Sequence, residues 1–144
     1  MSYTYEYPRP AVTVDCLVLS KENEQVWLML IRRDKPPFEK SWALPGGFVE
    51  IDEDLDEAAY RELKEETDIS DIELRQFRAF GKPGRDPRGR TISIVYYGFV
   101  DSEKTTAIAG SDARNVDWFE INDLPPLAFD HDEIIEMARR KLEV

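Results

Sequence analysis

The sequence has little of several features that define common protein classes. Its 144 residues include one cysteine, Cys16, which excludes an internal disulfide and a cysteine-based zinc site. Its longest purely apolar run is six residues, 26–31, whereas a membrane-spanning helix needs about 20. The N-terminus lacks the basic start and apolar stretch of a secretory signal. We therefore expect a cytoplasmic protein that does not enter membranes.

Positive charge is also scarce. The 19 Lys and Arg residues stand against 30 Asp and Glu residues, which gives a formal net charge of −11. Nucleic-acid binding needs cations that replace the counterions of the phosphates, so this composition predicts no nucleic-acid partner. The charge is unevenly distributed, with a net charge of −8 over residues 50–68 and of +3 over residues 82–90. An acidic segment and a basic loop on one domain can meet around a metal-bound anion.

The apolar residues that are present, 42% of the chain, indicate a single domain over residues 1–144. Alternation and β-favouring composition predict strands at 11–19, 26–31, 72–80, 91–100 and 113–121. A polar hairpin turn is expected at 22–24, and Pro45-Gly46-Gly47 is expected to break the chain. Helices are predicted at 55–67 and 133–142. The predicted fold class is α+β, with a mixed β-sheet sandwiched between helices in an α/β/α arrangement.

The first predicted helix has acidic residues on two different faces. At about 100° per residue, Glu62, Glu65 and Glu66 fall on or beside the apolar stripe, whereas Arg61 falls with the solvated residues opposite. A charge run usually marks a solvated helix face, yet carboxylates turned toward the protein are costly unless they are compensated. A hard divalent cation compensates them through its preference for oxygen ligands. The spacing therefore favours a metal site, with a solvated face as the alternative.

The residues around this helix resemble the Nudix box, G-x5-E-x7-R-E-U-x-E-E-x-G-U, in which U is a bulky aliphatic residue. The matching positions are Gly47, Glu53, Arg61, Glu62, Leu63, Glu65, Glu66 and Ile69. Asp68 stands where the family has Gly at the end of the helix, and Asp tolerates the left-handed conformation expected there. Residues 41–48, 85–90, 110–113 and 127–131 look like the ADP-ribose pyrophosphatase-like subgroup of this family.

The resemblance implies a Nudix fold and metal-dependent hydrolysis of the pyrophosphate of a nucleoside diphosphate derivative. The expected reaction converts ADP-ribose to AMP and ribose 5-phosphate. The cofactor it implies is Mg²⁺ or Mn²⁺, held by Gly46, Glu62, Glu65 and Glu66. The catalytic residues it implies are Glu62, Glu65, Arg61, Glu53 and Asp112. The general base is either a glutamate of the box or Asp112, for which a simple turn aspartate is the alternative reading.

Substrate contacts outside the box are expected from two places. The basic loop offers Arg85, Arg88 and Arg90, whose guanidinium groups match phosphate oxygens, although the loop can equally be a solvated connection. Phe38 and Trp42 can stack on the adenine or pack within the fold.

Two single residues have structural interpretations. His131, the only histidine, is expected to shape the start of the last helix, where Asp130 and Glu133 have the spacing of a capping box. Cys16 lies in a predicted strand and is expected to pack in the core.

Other functions stay open at this stage. One is a pyrophosphatase that cleaves nucleoside triphosphates, including oxidised ones, and another is an ADP-ribose-sensing domain like those of Nudix-related repressors. The substrate is in each case a small nucleotide. Many family members are dimers whose partner subunit completes the substrate site, so a homodimer is one possible state, although no self-complementary patch is readable here.

Overall fold

The computed structural model of the protein describes residues 2–101 and 115–144. Within these ranges the elements are β1 (Ala11–Glu22), β2 (Gln25–Arg32), β3 (Trp42–Ala43), β4 (Gly46–Phe48), α1 (Leu55–Thr67), β5 (Arg75–Phe80), β6 (Thr91–Phe99), β7 (Val116–Glu120) and α2 (His131–Leu142). The prediction for α1 is confirmed at both ends. The predicted hairpin is also confirmed, since Asn23 and Glu24 connect β1 to β2 with positive φ angles of 51° and 69°.

The strands form one mixed sheet. β6 runs parallel to β1, while β5 pairs antiparallel with β6, and β3 and β7 pair antiparallel with β2. Two strands share the other edge of β1: β2 pairs with its C-terminal part, and β4 pairs with Thr13, Val14 and Asp15. In this register Asp15 lies directly opposite Gly46. The N-terminal half of β1 is thereby brought beside the glycines that precede α1.

A helix covers each face of this sheet. Val14, Cys16 and Val18 are fully buried on the face covered by α1, which confirms the core position of Cys16. The cluster under α2 includes Leu17, Leu19, Ile134, Ile135 and Ala138. Burying each such large aliphatic side chain contributes about 1.5–3 kcal/mol. The predicted α/β/α arrangement is confirmed. Neither helix in the described ranges is long and apolar enough to cross a membrane.

The structure differs from the sequence prediction at β4. The glycines were expected to break the chain, but Gly46–Phe48 is a strand that pairs with β1. A Cβ at Gly46 would overlap the carbonyl oxygen of Val14, so only a residue without a side chain can approach β1 this closely. The glycines therefore permit pairing here and do not end it.

Smaller differences concern element ends. β5 begins at Arg75 and not at position 72, because the N–H of Leu74 donates to the hydroxyl of Tyr60, 2.9 Å away. α2 begins at His131, two residues before its predicted start. The described part of the last strand, Val116–Glu120, falls within the predicted range of 113–121.

Candidate active site

The helix α1 begins and ends at two aspartates. Asp54 is its N-cap, and the carboxylate accepts the N–H of Leu55 at 2.7 Å, next to the positive end of the helix dipole. Asp68 has a φ of 63°, and its N–H donates to the carbonyl oxygen of Lys64. Asp68 thus takes the left-handed position expected of the family's glycine. Both ends of the helix are fixed, which fixes the direction of the side chains between them.

Two glycines of β4 lie against two glutamates of α1. The N–H of Gly46 donates to Oε1 of Glu66 at 2.6 Å. A Cβ at Gly47 would lie 2.5 Å from both carboxylate oxygens of Glu62, closer than real Cβ contacts allow. The strand can therefore lie against these carboxylates only because positions 46 and 47 have no side chains.

Arg61 lies at the centre of the acidic residues. Its guanidinium donates to Glu53 at 2.8 Å, to Glu62 at 2.8 Å and to Glu65 at 3.2 Å, and also to the carbonyl oxygen of Phe48. The expectation that Arg61 belongs to the solvated face is wrong, because its long side chain bends over the helix surface toward the carboxylates. Hydrogen bonds from Arg61 lower the pKa of Glu53 to about 2.

Burial opposes ionisation of two of these acids. It raises the pKa of Glu66 to about 8, against the effect of the Gly46 N–H, and the charges of Glu62 and Asp15 raise it further. Burial likewise raises the pKa of Glu62, against the hydrogen bond from Arg61. Incompletely compensated carboxylates of this kind are stabilised by a nearby cation.

The donor set fits a divalent cation. Carboxylate oxygens are the ligands that Mg²⁺ and Mn²⁺ prefer, and Glu62, Glu65 and Glu66 present them from one side of α1. In the described ranges no three His, Cys, Asp or Glu side chains already converge closely enough to hold an ion. Arg61 holds two of the three carboxylates, so an ion would replace it as their partner. Gly46, the predicted source of a further ligand, contacts Glu66 through its N–H.

Two cavities border this site. The inner cavity, of about 130 Å³, is lined by residues that include Asp15, Arg33, Gly46, Arg88, Phe129 and His131. The outer cavity, of about 330 Å³, is lined by residues that include Arg33, Lys35, Glu65 and Glu66. Arg33 lines both, so a ligand that extends from one cavity into the other passes its guanidinium.

Asp15 and His131 meet in the wall of the inner cavity. Oδ2 of Asp15 accepts a hydrogen bond from the hydroxyl of Ser93, and Oδ1 lies 3.8 Å from Nε2 of His131. The N–H of Leu44 donates to Nδ1 of His131 at 3.0 Å, so the neutral ring carries its proton on Nε2. Burial lowers the pKa of His131. Sequence analysis missed Asp15, although a carboxylate within an apolar strand pattern was an available signal.

The start of α2 differs from the prediction. Asp130 is the N-cap, but its side chain makes no capping hydrogen bond. Its two oxygens accept instead from Arg85, at 2.7 and 2.9 Å, and the Arg85 side chain is only 4% exposed. The predicted capping box with Glu133 is therefore wrong, because the guanidinium offers two charge-assisted hydrogen bonds where the helix offers one N–H.

The other two arginines of the basic loop have different surroundings. Arg88 pairs with Asp86 at 2.8 Å, and its guanidinium lies over the rings of Phe48 and Phe129, 4.8 and 5.3 Å from their centroids. Arg90 donates to a backbone carbonyl at the start of the loop. Arg85 and Arg88 both line the inner cavity, but the Arg88 side chain is exposed, whereas Arg85 is buried in its ion pair.

Phe38 and Trp42, the two residues predicted to stack on the adenine, lie in different parts of the structure. Phe38 makes an edge-to-face contact with Phe129, 5.0 Å between centroids, beside the inner cavity. Trp42 packs in the same way on Phe119, at 4.8 Å, within the cluster under α2. As far as the chain is described, Trp42 lines neither cavity.

Arg33 is a second site residue that sequence analysis missed. Its Nε donates to the carbonyl oxygen of Pro37 at 2.7 Å, and its guanidinium lies 5.0 Å from the Phe129 centroid. Burial and the nearby Arg88 lower the pKa of Arg33. No sequence signal separates it from other charged residues of its loop. Asp112, the alternative general base, lies outside the described residues.

Comparisons with known proteins agree with this geometry. Residues 9–138 match the family model described as NUDIX domain. The chain is 43% identical over 130 residues to an ADP-ribose pyrophosphatase of Methanocaldococcus jannaschii, covering 90% of this chain and 73% of the relative. It is 33% identical over 141 residues to the ADPR responsive transcriptional repressor NtrR of Acinetobacter baylyi, covering 95% of this chain and 56% of the repressor.

A solved structure has the same fold. The NUDIX domain of Shewanella oneidensis NrtR, crystallised with ADP ribose, superposes with a TM-score of 0.81 at 29% identity. The match covers 94% of this chain and 90% of that domain.

Proposed function

The chain belongs to the Nudix family and is a Nudix pyrophosphohydrolase, and we propose that it hydrolyses ADP-ribose to AMP and ribose 5-phosphate. One observation carries this proposal: the carboxylates of Glu62 and Glu66 lie against Gly46 and Gly47, next to two cavities that share Arg33 in their lining. The relative described as an ADP-ribose pyrophosphatase supports the choice of substrate. We treat residues 1–144 as one such domain.

We assign the metal to the carboxylates of α1. Glu62, Glu65 and Glu66, with the carbonyl of Gly46, would hold Mg²⁺ or Mn²⁺, which when bound neutralises charge on the pyrophosphate and acidifies water. Arg61 would orient the carboxylates. Its hydrogen bonds to Glu53, whose pKa they lower to about 2, would keep the guanidinium in position beside Glu62 and Glu65.

The hydrolysis breaks one phosphorus–oxygen bond. The oxygen of a water molecule bonds to one phosphorus, and the bridging oxygen leaves with the other phosphate. The proton released by the water passes to a carboxylate. That general base is either Glu62 or Glu65 of α1 or Asp112, and a variant series described below separates them.

Two arginines are the best-placed substrate contacts. Arg33 lines both cavities, so it would meet the pyrophosphate, and Arg88 is exposed at the inner cavity. Arg85 and Arg90 are committed to Asp130 and to the backbone of their own loop, and we assign them to holding that loop. Phe38 lines neither of these cavities, and we assign it to supporting the ring of Phe129, which lines the inner one.

A substrate panel tests the proposal. We expect the highest kcat/KM for ADP-ribose among ADP-ribose, NADH, diadenosine compounds and normal or oxidised nucleoside triphosphates, with Mg²⁺ or Mn²⁺ present. Products are separated by chromatography. A preference for a triphosphate would replace the proposal with the triphosphate pyrophosphatase alternative.

A sensing role is the second candidate because of the repressor relative, of which this chain spans about half the length. Such a domain would bind ADP-ribose with little turnover. We expect turnover, and we expect no mobility shift of DNA because the net charge is −11. We also predict a cytoplasmic location. A homodimer is a further prediction, which the molar mass from light scattering would test.

A further inference from the structure

As far as the chain is described, several polar groups of the inner cavity have hydrogen-bonding capacity that is not used within the protein, and two of them are charged. Arg85 is paired with Asp130, and Arg88 is paired with Asp86. Oδ1 of Asp15, by contrast, lies beside Gly46 and 3.8 Å from Nε2 of His131, which is beyond hydrogen-bond distance, and it accepts no hydrogen bond from the described residues. Within the described residues, the two terminal nitrogens of Arg33 donate no hydrogen bond, and its Nε alone is engaged. The cavity therefore offers an anionic acceptor in Asp15 and a cationic donor in Arg33, together with the partly exposed Arg88 and the Nε2–H of His131.

These two groups favour a ligand that both donates and accepts. A phosphate group has acceptor oxygens for Arg33 but would be repelled by the carboxylate of Asp15. An apolar group would leave Asp15 desolvated without a partner, which is costly. A sugar meets both demands, because each hydroxyl can donate to Asp15 and accept from Arg33. At about 130 Å³ the cavity is small, which favours a part of the ligand about as large as one sugar ring.

The aromatic residues of the cavity do not favour a base. Phe129 contacts the guanidinium groups of Arg33 and Arg88, and its ring also meets the rings of Phe38 and His131. Phe48 contacts the guanidinium of Arg88. Because these contacts occupy the ring surfaces near the cavity, a planar base would have to displace a guanidinium to stack.

We infer that Asp15 is a specificity-determining residue whose Oδ1 accepts hydrogen bonds from the hydroxyls of a ribose of the substrate. The inference rests on the proposed function, since it places this ribose in the inner cavity and the pyrophosphate beside Arg33 and the carboxylates of α1. Gly46 is the link between the two parts, because it pairs with Asp15 and donates to Glu66.

The carboxylate of Asp15 is held in place by a residue of the neighbouring strand. The hydroxyl of Ser93 donates to Oδ2, which leaves Oδ1 as the oxygen of this cavity-lining residue that is available to a ligand. Asp15 and Ser93 lie on the neighbouring strands β1 and β6 and are both buried, so the carboxylate has little rotational freedom. An acceptor fixed in this way binds a hydroxyl pair without a further loss of side-chain entropy.

The test measures binding with analogues in which a methylene group replaces the bridging oxygen of the pyrophosphate. Affinities of α,β-methylene-ADP-ribose, of α,β-methylene-ADP and of its 2′,3′-dideoxy form are measured by calorimetry with Mg²⁺ for wild type and Asp15→Asn. We expect Asp15→Asn to weaken binding of α,β-methylene-ADP-ribose by about 10- to 10²-fold, because hydrogen bonds to a charged group are lost.

The panel identifies the ribose. A loss confined to the ADP-ribose analogue assigns the terminal ribose to Asp15. A loss shared by α,β-methylene-ADP but absent from its dideoxy form assigns the ribose of the adenosine. Equal losses for every ligand, or no loss, overturn the inference, since a purely structural aspartate would not discriminate between hydroxyl and deoxy sugars.

Two further variants complete the experiment. Ser93→Ala keeps the carboxylate but removes its anchor, and we expect a smaller loss with the same ligand pattern. Asp123→Asn, at an exposed aspartate outside both cavities, is the matched control and should bind like wild type. A wild-type protein that binds the analogue but cleaves no ADP-ribose would overturn the proposed function alone. Cleavage without a selective effect of Asp15→Asn would overturn this inference alone.

Discussion

Arg85 and Asp130 join the basic loop to the start of α2 by two hydrogen bonds, 2.7 and 2.9 Å long, between residues 45 positions apart. Both side chains are largely buried. The pair therefore holds the loop, with Arg88, against the element that carries His131. The sequence predicts Arg85 as a substrate contact, and from this buried pair we propose that it positions the cavity wall.

Removing Arg85 should destabilise the protein. We expect Arg85→Ala to lower the free energy of unfolding by about 3 kcal/mol, because the buried Asp130 carboxylate loses its partner. Urea unfolding measures the change. The control is Arg75→Ala, which breaks an exposed pair with Glu73 and should cost less than about 1 kcal/mol. Equal effects of the two variants would contradict the structural role of Arg85.

A methyl group at Gly47 should disturb catalysis more than folding. Gly47→Ala places a Cβ 2.5 Å from the Glu62 carboxylate, which must move away. We expect kcat to fall by about 10²-fold, as displacements near 1 Å in an active site can cause. Steady-state kinetics measure it, with Gly81→Ala as control, since its Cβ would meet only Ile92 at an ordinary 3.6 Å. If Gly47→Ala retained wild-type kcat, the fit of β4 to Glu62 would be unimportant for the reaction.

Removal of divalent ions should abolish activity and lower the melting temperature, because an ion that binds only the native state stabilises it. Glu66→Gln should lower kcat by at least about 10²-fold and reduce the gain in melting temperature on adding Mg²⁺. Glu57→Gln, an exposed position of the same helix, should behave like wild type in both measurements. Full activity in EDTA would exclude a metal-dependent mechanism.

His131 should be harder to protonate than an ordinary histidine, because burial lowers its pKa. Its ring is the only imidazole, so a single histidine signal in NMR spectra reports its titration, and we expect a midpoint below 6.5 because burial disfavours the charged ring. The charged groups that face it are Asp15, Asp130, Arg85 and Arg33.

The same shift has a consequence for stability. The unfolded chain binds the proton more readily than the folded one, so this contribution to stability is complete above about pH 6.5 and is lost as the pH falls below it. His131→Asn, whose side-chain oxygen can accept the Leu44 N–H, should show a smaller loss between pH 6.5 and 5 in urea unfolding. A midpoint above 6.5 would show that Asp15 and Asp130 outweigh burial.

The general base is resolved by three conservative variants. If Asp112 removes the proton from water, Asp112→Asn should lower kcat by about 10²–10⁴-fold with little change in KM or metal affinity. If the base is on α1, Asp112→Asn should be near wild type while Glu62→Gln or Glu65→Gln is inactive. Rapid-mixing kinetics at saturating Mg²⁺ distinguish the two patterns.

The features that the sequence could predict depend on residues close to one another in the chain. The ends of α1 follow from Asp54, from a run of helix-forming residues and from Asp68, all within one segment. The acidic residues of the box are likewise readable from their spacing. The helix angle failed for Arg61, because a long flexible side chain can reach partners that its Cα direction does not indicate, and for Glu65, whose side chain is 58% exposed.

What it could not predict depends on partners far along the chain. Ser93 fixes Asp15 from 78 positions away, and Leu44 fixes the tautomer of His131 from 87 positions away. Asp130 carried a correct capping signal, but Arg85 offered stronger hydrogen bonds once the fold brought the two together. Sequence propensities describe neighbouring residues, so they do not predict competition from a partner far along the chain.

The pairing of Asp15 with Gly46 joins two parts of the site that can be changed independently of each other. In the proposed reaction bond cleavage depends on α1, while residues of β1, the basic loop and the start of α2 line the inner cavity. Gly46 and Gly47 contact both parts. We therefore expect that substitutions in the inner cavity can change which ligand binds. The carboxylates of α1 can be retained in such variants, provided that positions 46 and 47 stay glycine.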